Sequence, residues 1–140
     1  MKIWADPDFE NFSPNAKYLF VYLITNSHRN ESALYSISIK KIANETSMTG
    51  RAIESAINEL AESKKILYDF KSSTVWVCNA VRYQSINDNC VKSILNDLEK
   101  SSSPALVAAF CSFYKDFKGL RGVLDGFPTP SIGIGLGIGL

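Results

Sequence analysis

The chain contains few of the side chains on which catalysis and metal binding depend. Its single histidine, His28, lies in the polar run NSHRNESA, with no cysteine or paired-carboxylate motif beside it. Its three cysteines form an odd set without a CxxC pair, which argues against a zinc site and against a secreted disulfide framework. The sequence therefore predicts a protein that is not an enzyme and that holds neither a metal ion nor a cofactor.

The sequence also lacks a long apolar run and an excess of charge of one sign. No stretch approaches the roughly 20 apolar residues that span a bilayer, and the start MKIWADPDFE is too acidic for a signal peptide. Lys and Arg number 15 against 14 Asp and Glu, so no global field draws the chain to nucleic acid or to an anionic membrane. We expect a protein of the bacterial host cytoplasm, in which any DNA affinity comes from locally placed charges.

Glycine occurs at every second position of the C-terminal run IGIGLGIGL, without the spacing of a phosphate-binding loop. Alternate glycines weaken a strand and leave no side chain to pack against a core. We expect residues 119–140 to form a flexible tail or linker.

Three helices are predicted in the first part of the chain. Ser13 can cap a helix that runs from Pro14 to about Thr25, because proline is tolerated at a first helical position. Ser38 can cap a second helix over IKKIANET, and the corner SMTG leads to a third helix from about Gly50 to Ser63.

Strand signals fall between and after these helices. The run LYSIS alternates apolar and polar side chains, and ILYDF and TVWVCNA are β-favouring runs separated by KSS, which indicates a hairpin. The order helix, strand, helix, helix, hairpin predicts a winged helix-turn-helix domain over residues 1–84.

Two further helices are predicted over residues 85–118. They pack either on the first domain or on a second copy of the chain, and their apolar stripes are Val91, Ile94, Leu95 and Leu98 in one and Leu106, Phe110, Phe113, Tyr114 and Phe117 in the other. The predicted fold class is mainly α with a small β-hairpin, a winged helix-turn-helix with two C-terminal helices.

The third helix carries an exposed polar row. At about 100° per residue, Arg51, Ser55 and Asn58 fall opposite the apolar side, with Glu62 at the far end of the same row. The second helix of a helix-turn-helix places its N-terminal residues against base edges in the major groove. Arginine suits guanine, asparagine suits adenine, and serine can serve a base or a phosphate.

Four further residues are candidates for contacts with the DNA backbone. Thr49 and the free N–H groups at the start of the third helix can bind a phosphate. Lys64, Lys65 and the hairpin residue Lys71 are expected to lie close together and to meet flanking phosphates.

The same residues also fit a protein without DNA affinity. A polar row is normal on a surface helix, and Glu54, Glu59 and Glu62 would repel phosphate. A protein–protein module that oligomerises or docks a partner through the aromatic stripe of the last helix is therefore an alternative. A third is a winged-helix transcriptional regulator. Tyr68 and Trp76 on the hairpin could stack on single-stranded bases, although hairpin aromatics more often pack inward.

Four segments between Ile3 and Asp88 carry a further signal, a resemblance that extends through the two late helices to about Tyr114. They are IWADPDFENFSPNAKYLFVYLITN, YSISIKKIANETSMTGRAIESAINEL, ILYDF and VWVCNAVRYQSIND. Together they resemble the N-terminal winged-helix region of phage replisome organisers, replication-initiation proteins related to the DnaD-like group.

The resemblance implies binding to the double-stranded origin DNA of a phage or prophage, self-association into a homo-oligomer, and recruitment of host helicase-loading proteins. In such proteins a linker and a second, partner-binding domain follow the winged helix. Here the winged helix is followed by two helices and the glycine-isoleucine run, so the helicase-recruiting half is expected to be missing, encoded separately or cut away.

Overall fold

The fold is given by a computed structural model that describes residues 7–83 and 86–127. The predicted domain boundary at 84 and 85 and the tail residues 128–140 lie outside these ranges. The described elements are α1 (Pro7–Glu10), α2 (Pro14–Thr25), β1 (Leu34–Ser36), α3 (Ile39–Thr46), α4 (Gly50–Glu62), β2 (Ile66–Asp69), β3 (Thr74–Val77), a 3-10 turn (Val81–Tyr83), α5 (Asp88–Lys100) and α6 (Pro104–Tyr114). None of these described helices has the length and apolar character needed to cross a bilayer.

Hydroxyl side chains cap the N-termini of four helices. The side-chain oxygen of Ser13 accepts a hydrogen bond from the third residue of α2, and Ser38, Thr49 and Ser103 do the same for α3, α4 and α6. Each bond satisfies an N–H that has no partner inside the helix. The predicted bounds of α2 and α3 and the predicted start of α4 are confirmed.

The strands form one antiparallel sheet in the order β1-β3-β2. In the central strand, Trp76 pairs with Leu34 of β1 and with Leu67 of β2. The run LYSIS therefore contributes an edge strand beside the hairpin. This order of elements, with the first strand paired to the hairpin, is that of a winged helix-turn-helix, and the mainly α fold with a small sheet is as predicted.

One face of the sheet packs against α2, α3 and α4. Alternate strand residues point to the same face, so Tyr35, Tyr68 and Val75 lie together in this core with Ile42 of α3. The apolar side of α4 enters the same core, and its buried residues are Ile53, Ala56, Ile57 and Leu60. This packing fixes which side of α4 faces outward.

The other face of the sheet is covered by α5 and α6. Leu67 and Trp76 lie in a second core with Phe110 and Tyr114 of α6. The Tyr114 hydroxyl donates a hydrogen bond of 2.5 Å to the carbonyl oxygen of Cys78. The two late helices therefore pack on the winged helix of their own chain, and the strands are buried on both faces.

The segment 119–127, predicted as the start of a flexible tail, forms turns that belong to the second core. Leu120 and Leu124 are buried there. Gly119 has a φ of 97°, and a Cβ at this position would lie 2.8 Å from Cγ2 of Ile86. Glycine fits this turn because it has no Cβ and tolerates the left-handed region.

A buried carboxylate joins the hairpin to α6. Asp69, at the end of β2, is 6% exposed and accepts hydrogen bonds from the hydroxyls of Ser103 (2.6 Å) and Ser72 (2.9 Å) and from the N–H of Lys71 (3.0 Å). Burial alone would raise the pKa of Asp69, but these hydrogen bonds outweigh it and hold the pKa below the ordinary value. Asp69 therefore holds the hairpin turn and is itself bonded to Ser103, the residue that caps α6.

Replacing Asp69 with alanine should lower the free energy of unfolding by about 2 kcal/mol, because two hydroxyls lose a charged acceptor in a buried position. Urea unfolding followed by circular dichroism measures the change. Asp116→Ala, which removes an exposed carboxylate, is the matched control. Equal stabilities of the two variants would show that the Asp69 bonds do not hold the hairpin.

Candidate nucleic-acid interface

The outward side of α4 presents the polar row that the helical wheel predicts. Arg51, Ser55 and Asn58 are all exposed, whereas Ile53 and Leu60 on the opposite side are buried. Since the spacings of four and three residues match the helical repeat, the three side chains leave α4 in one direction. An arginine, a serine and an asparagine are thus available together to hydrogen-bonding groups of a ligand.

The start of α4 is open to solvent. Thr49 is exposed, and its Oγ1 accepts a hydrogen bond of 3.1 Å from the N–H of Ala52. Within the described residues, the N–H groups of Gly50 and Arg51 have no hydrogen-bond partner. Such N–H groups at a helix start suit an anion.

The hairpin tip and the start of α4 are joined through the segment 37–39. The N–H of Ile37 donates to the carbonyl oxygen of Ser73 in the hairpin turn at 2.8 Å, and the Tyr68 hydroxyl donates to the carbonyl oxygen of Ile37 at 2.6 Å. Two residues further on, Ile39 lies against Gly50, at 3.9 Å from the position of a Cβ on that glycine. The hairpin turn and the first turn of α4 therefore lie at the same end of the molecule.

The structure separates the three lysines that were expected to lie close together. Lys64 and Lys65 stand at the base of the hairpin, whereas Lys71 is at its tip. At about 3.3 Å per strand residue, roughly 20 Å separates Lys65 from Lys71. Lys65 is also not presented with the others, because its Nζ lies 3.2 Å from a carboxylate oxygen of Asp8 and its side chain is 14% exposed.

A further cation, Lys40, lies at the end that holds Arg51 and Lys71. It follows Ile39 in the first turn of α3 and is exposed. From the sequence alone, Lys40 and its neighbour Lys41 both fit a solvated face of the helix. In the structure they differ, because Lys41 lies 3.6 Å from Glu45 in the next turn of α3.

The cations of this surface form no ion pair with the carboxylates of the described chain. Among residues 7–83 and 86–127, no carboxylate lies within ion-pair distance of Lys40, Arg51, Lys64 or Lys71. Glu59, expected to repel phosphate, instead accepts hydrogen bonds from the Ser13 backbone N–H (2.7 Å) and hydroxyl (2.8 Å) at the start of α2. Two carboxylates, Glu54 and Glu62, remain exposed on α4.

The hairpin aromatics are not available to a ligand. Tyr68 is 1% exposed and Trp76 is 2% exposed, one in each core. Stacking of these two rings on single-stranded bases is therefore excluded in this fold. The aromatic stripe of α6, the predicted partner contact, is also largely buried against the sheet of the same chain, and Phe113 is its exposed member.

His28 belongs to a cluster that ties the loop after α2 to α3. Its Nε2 lies 2.9 Å from a carboxylate oxygen of Glu45, and the Tyr22 hydroxyl donates to the other oxygen. The hydrogen bonds with His28 and Tyr22 lower the pKa of Glu45 to about 2. In the described part of the chain, no three His, Cys, Asp or Glu side chains are grouped as metal ligands.

Replacing Glu45 with glutamine should lower the melting temperature at pH 7. The folded-state pKa of about 2 lies below the ordinary 4.5, so the stabilisation is present above pH 4.5 and is lost as the pH falls toward 2. The difference in melting temperature between wild type and Glu45→Gln should therefore shrink over this interval. Glu99→Gln, an exposed change on α5, is the control, and a pH-independent difference for Glu45→Gln would contradict the assignment.

The chain matches no family model, no curated protein and no solved structure.

Proposed function

We propose that this protein binds double-stranded DNA through the outward side of α4 and the hairpin tip, as a replication-initiation protein of a phage or prophage. One observation carries the DNA-binding part of the proposal. The exposed row Arg51, Ser55 and Asn58 starts at the end of the molecule where the hairpin tip is held, and unpaired cations accompany both.

In this arrangement α4 lies in the major groove with its first turns against the bases. Arg51 can donate two hydrogen bonds to guanine, and Asn58 can form two with adenine. Ser55 lies between them on the same side and can bond to a base or a phosphate. Thr49 and the open N–H groups at the start of α4 sit where a phosphate oxygen would approach the helix.

Lysines on three different elements would contact the phosphate backbone. Lys71 at the hairpin tip and Lys40 on α3 flank the start of α4, and Lys64 lies beyond its far end. Lys65 is left out of this set, because its ammonium group is paired with Asp8. Since Glu54 and Glu62 oppose these cations, we expect modest non-specific affinity and a larger share of binding from base contacts.

The replication role is supported by the resemblance to phage replisome organisers. This resemblance implies that the protein acts in the host cytoplasm, forms a homo-oligomer at the origin and interacts with host helicase-loading proteins. The docking alternative is weakened, because the aromatic stripe of α6 that it requires is used within the chain.

Replacing Arg51 with alanine should weaken binding to the preferred duplex about tenfold and relax its base preference, because a two-bond contact with a base is lost. Fluorescence polarisation with origin-derived and random duplexes measures both effects. Arg82→Ala is the matched control, since Arg82 is exposed on the opposite side of the sheet, over the Phe113 ring. Unchanged affinity and base preference in Arg51→Ala would show that α4 does not lie in the major groove.

Replacing Lys71 with alanine should reduce the slope of log Kd against log salt concentration by about one, because one phosphate contact is lost. Lys65→Ala should leave this slope unchanged and lower the melting temperature instead. Lys92→Ala, an exposed change on α5, is the control for removal of a positive charge. A wild-type slope in Lys71→Ala would place the hairpin tip outside the interface.

A further inference from the structure

We infer that Phe70 at the hairpin tip is a DNA-contacting residue that supplies an apolar, salt-independent contact to the sugars and base edges of the duplex. This inference rests on the proposed function and names a further residue of the same interface. Phe70 is one of the large apolar side chains that the described chain leaves exposed, at 40%.

The contact with the Tyr68 ring decides the direction in which Phe70 points. Ile66 and Tyr68 of β2 face the core under α4, and Phe70 follows the last strand residue, Asp69, in the hairpin turn. Its ring lies edge-on against the Tyr68 ring, with centroids 4.9 Å apart. Phe70 therefore extends this face of the hairpin beyond the core, toward the end where α4 begins.

The backbone on both sides of Phe70 is fixed before any ligand binds. Asp69 is held by three hydrogen bonds, one of them from Ser103 at the start of α6. Ser73, at the end of the turn, accepts a hydrogen bond from the N–H of Ile37. Binding through Phe70 would consequently order little additional backbone, which favours affinity.

The neighbours of Phe70 indicate a nucleic acid as the occupant. Lys71 follows it directly and is exposed, and no carboxylate of the described chain lies within ion-pair distance of its ammonium group. An aromatic ring beside a free ammonium group matches a duplex edge, where apolar sugar and base surfaces lie next to phosphates. The ring also lies at the same end of the molecule as the proposed interface, because a hydrogen bond joins the hairpin turn to Ile37, just before α3.

The ring and the lysine predict different salt responses. An apolar contact displaces no counterion from the duplex. Removal of the Phe70 ring should therefore weaken binding by the same factor at every salt concentration. Removal of a lysine should change the slope. The two kinds of contact are therefore separable in one titration series.

The test is a polarisation titration of wild type, Phe70→Ala, Phe70→Leu and Phe113→Ala with an origin-derived duplex at three salt concentrations. We expect Phe70→Ala to raise Kd roughly fivefold with the wild-type slope, and Phe70→Leu to recover part of the loss. Phe113→Ala is the matched control, because Phe113 is 43% exposed but lies on α6 against Trp76. It should bind like wild type, and melting curves confirm that each variant is folded.

Three results would overturn the inference. Wild-type affinity in a folded Phe70→Ala would remove the ring from the interface while leaving the DNA-binding proposal intact. A loss that appears only as a changed salt slope would show that Phe70 acts through Lys71 and makes no apolar contact. Absence of duplex binding by the wild-type protein at the lowest salt would instead refute the proposed function together with the inference.

Discussion

Burial of the small sheet on both faces is the constraint on which the rest of the structure depends. The central strand β3 directs Val75 to the core shared with α2, α3 and α4, and Trp76 to the core shared with α5 and α6. Burial of apolar area on each face holds one helical layer in place. The orientation of α4, and with it the outward direction of Arg51, follows from the first core. The position of the hairpin depends on both cores, because β2 and β3 contribute side chains to each of them. Asp69 also links the hairpin to α6.

Local features of the fold could be predicted from the sequence because local chemistry determines them. Hydroxyl caps mark the helix starts, and the period of the apolar residues gives the buried side of α4. Polar contacts between segments that are distant in the chain leave no such pattern in the sequence. Glu59 satisfies the start of α2 from 46 residues away, and Ser103 bonds to Asp69 across 34 residues. The pair of Lys65 with Asp8 is of the same kind. The distance between Lys65 and Lys71, in contrast, follows from the predicted hairpin, because a strand separates its base from its tip.

Chain composition also misleads where packing overrides it. The glycines near residue 120 suggest a flexible tail, yet Leu120 and Leu124 belong to the second core and Gly119 is needed for the turn beside Ile86. Apolar residues at consecutive positions of β3 indicate a strand that is buried on both faces, but they do not say which helices cover the second face. In the structure α6 covers that face, with the aromatic side chains that could otherwise have bound a partner.

The central claim is that the outward side of α4 and the hairpin tip contact one duplex. An amide chemical-shift titration of the labelled protein with a short duplex tests it most directly, because every described amide reports its own position. We expect the amide signals of Arg51, Ser55, Asn58 and Lys71 to shift together with one dissociation constant, while the chemical shifts of α5 amides such as Lys92 stay unchanged. Shifts confined to α5 and α6, with α4 unchanged, would contradict it.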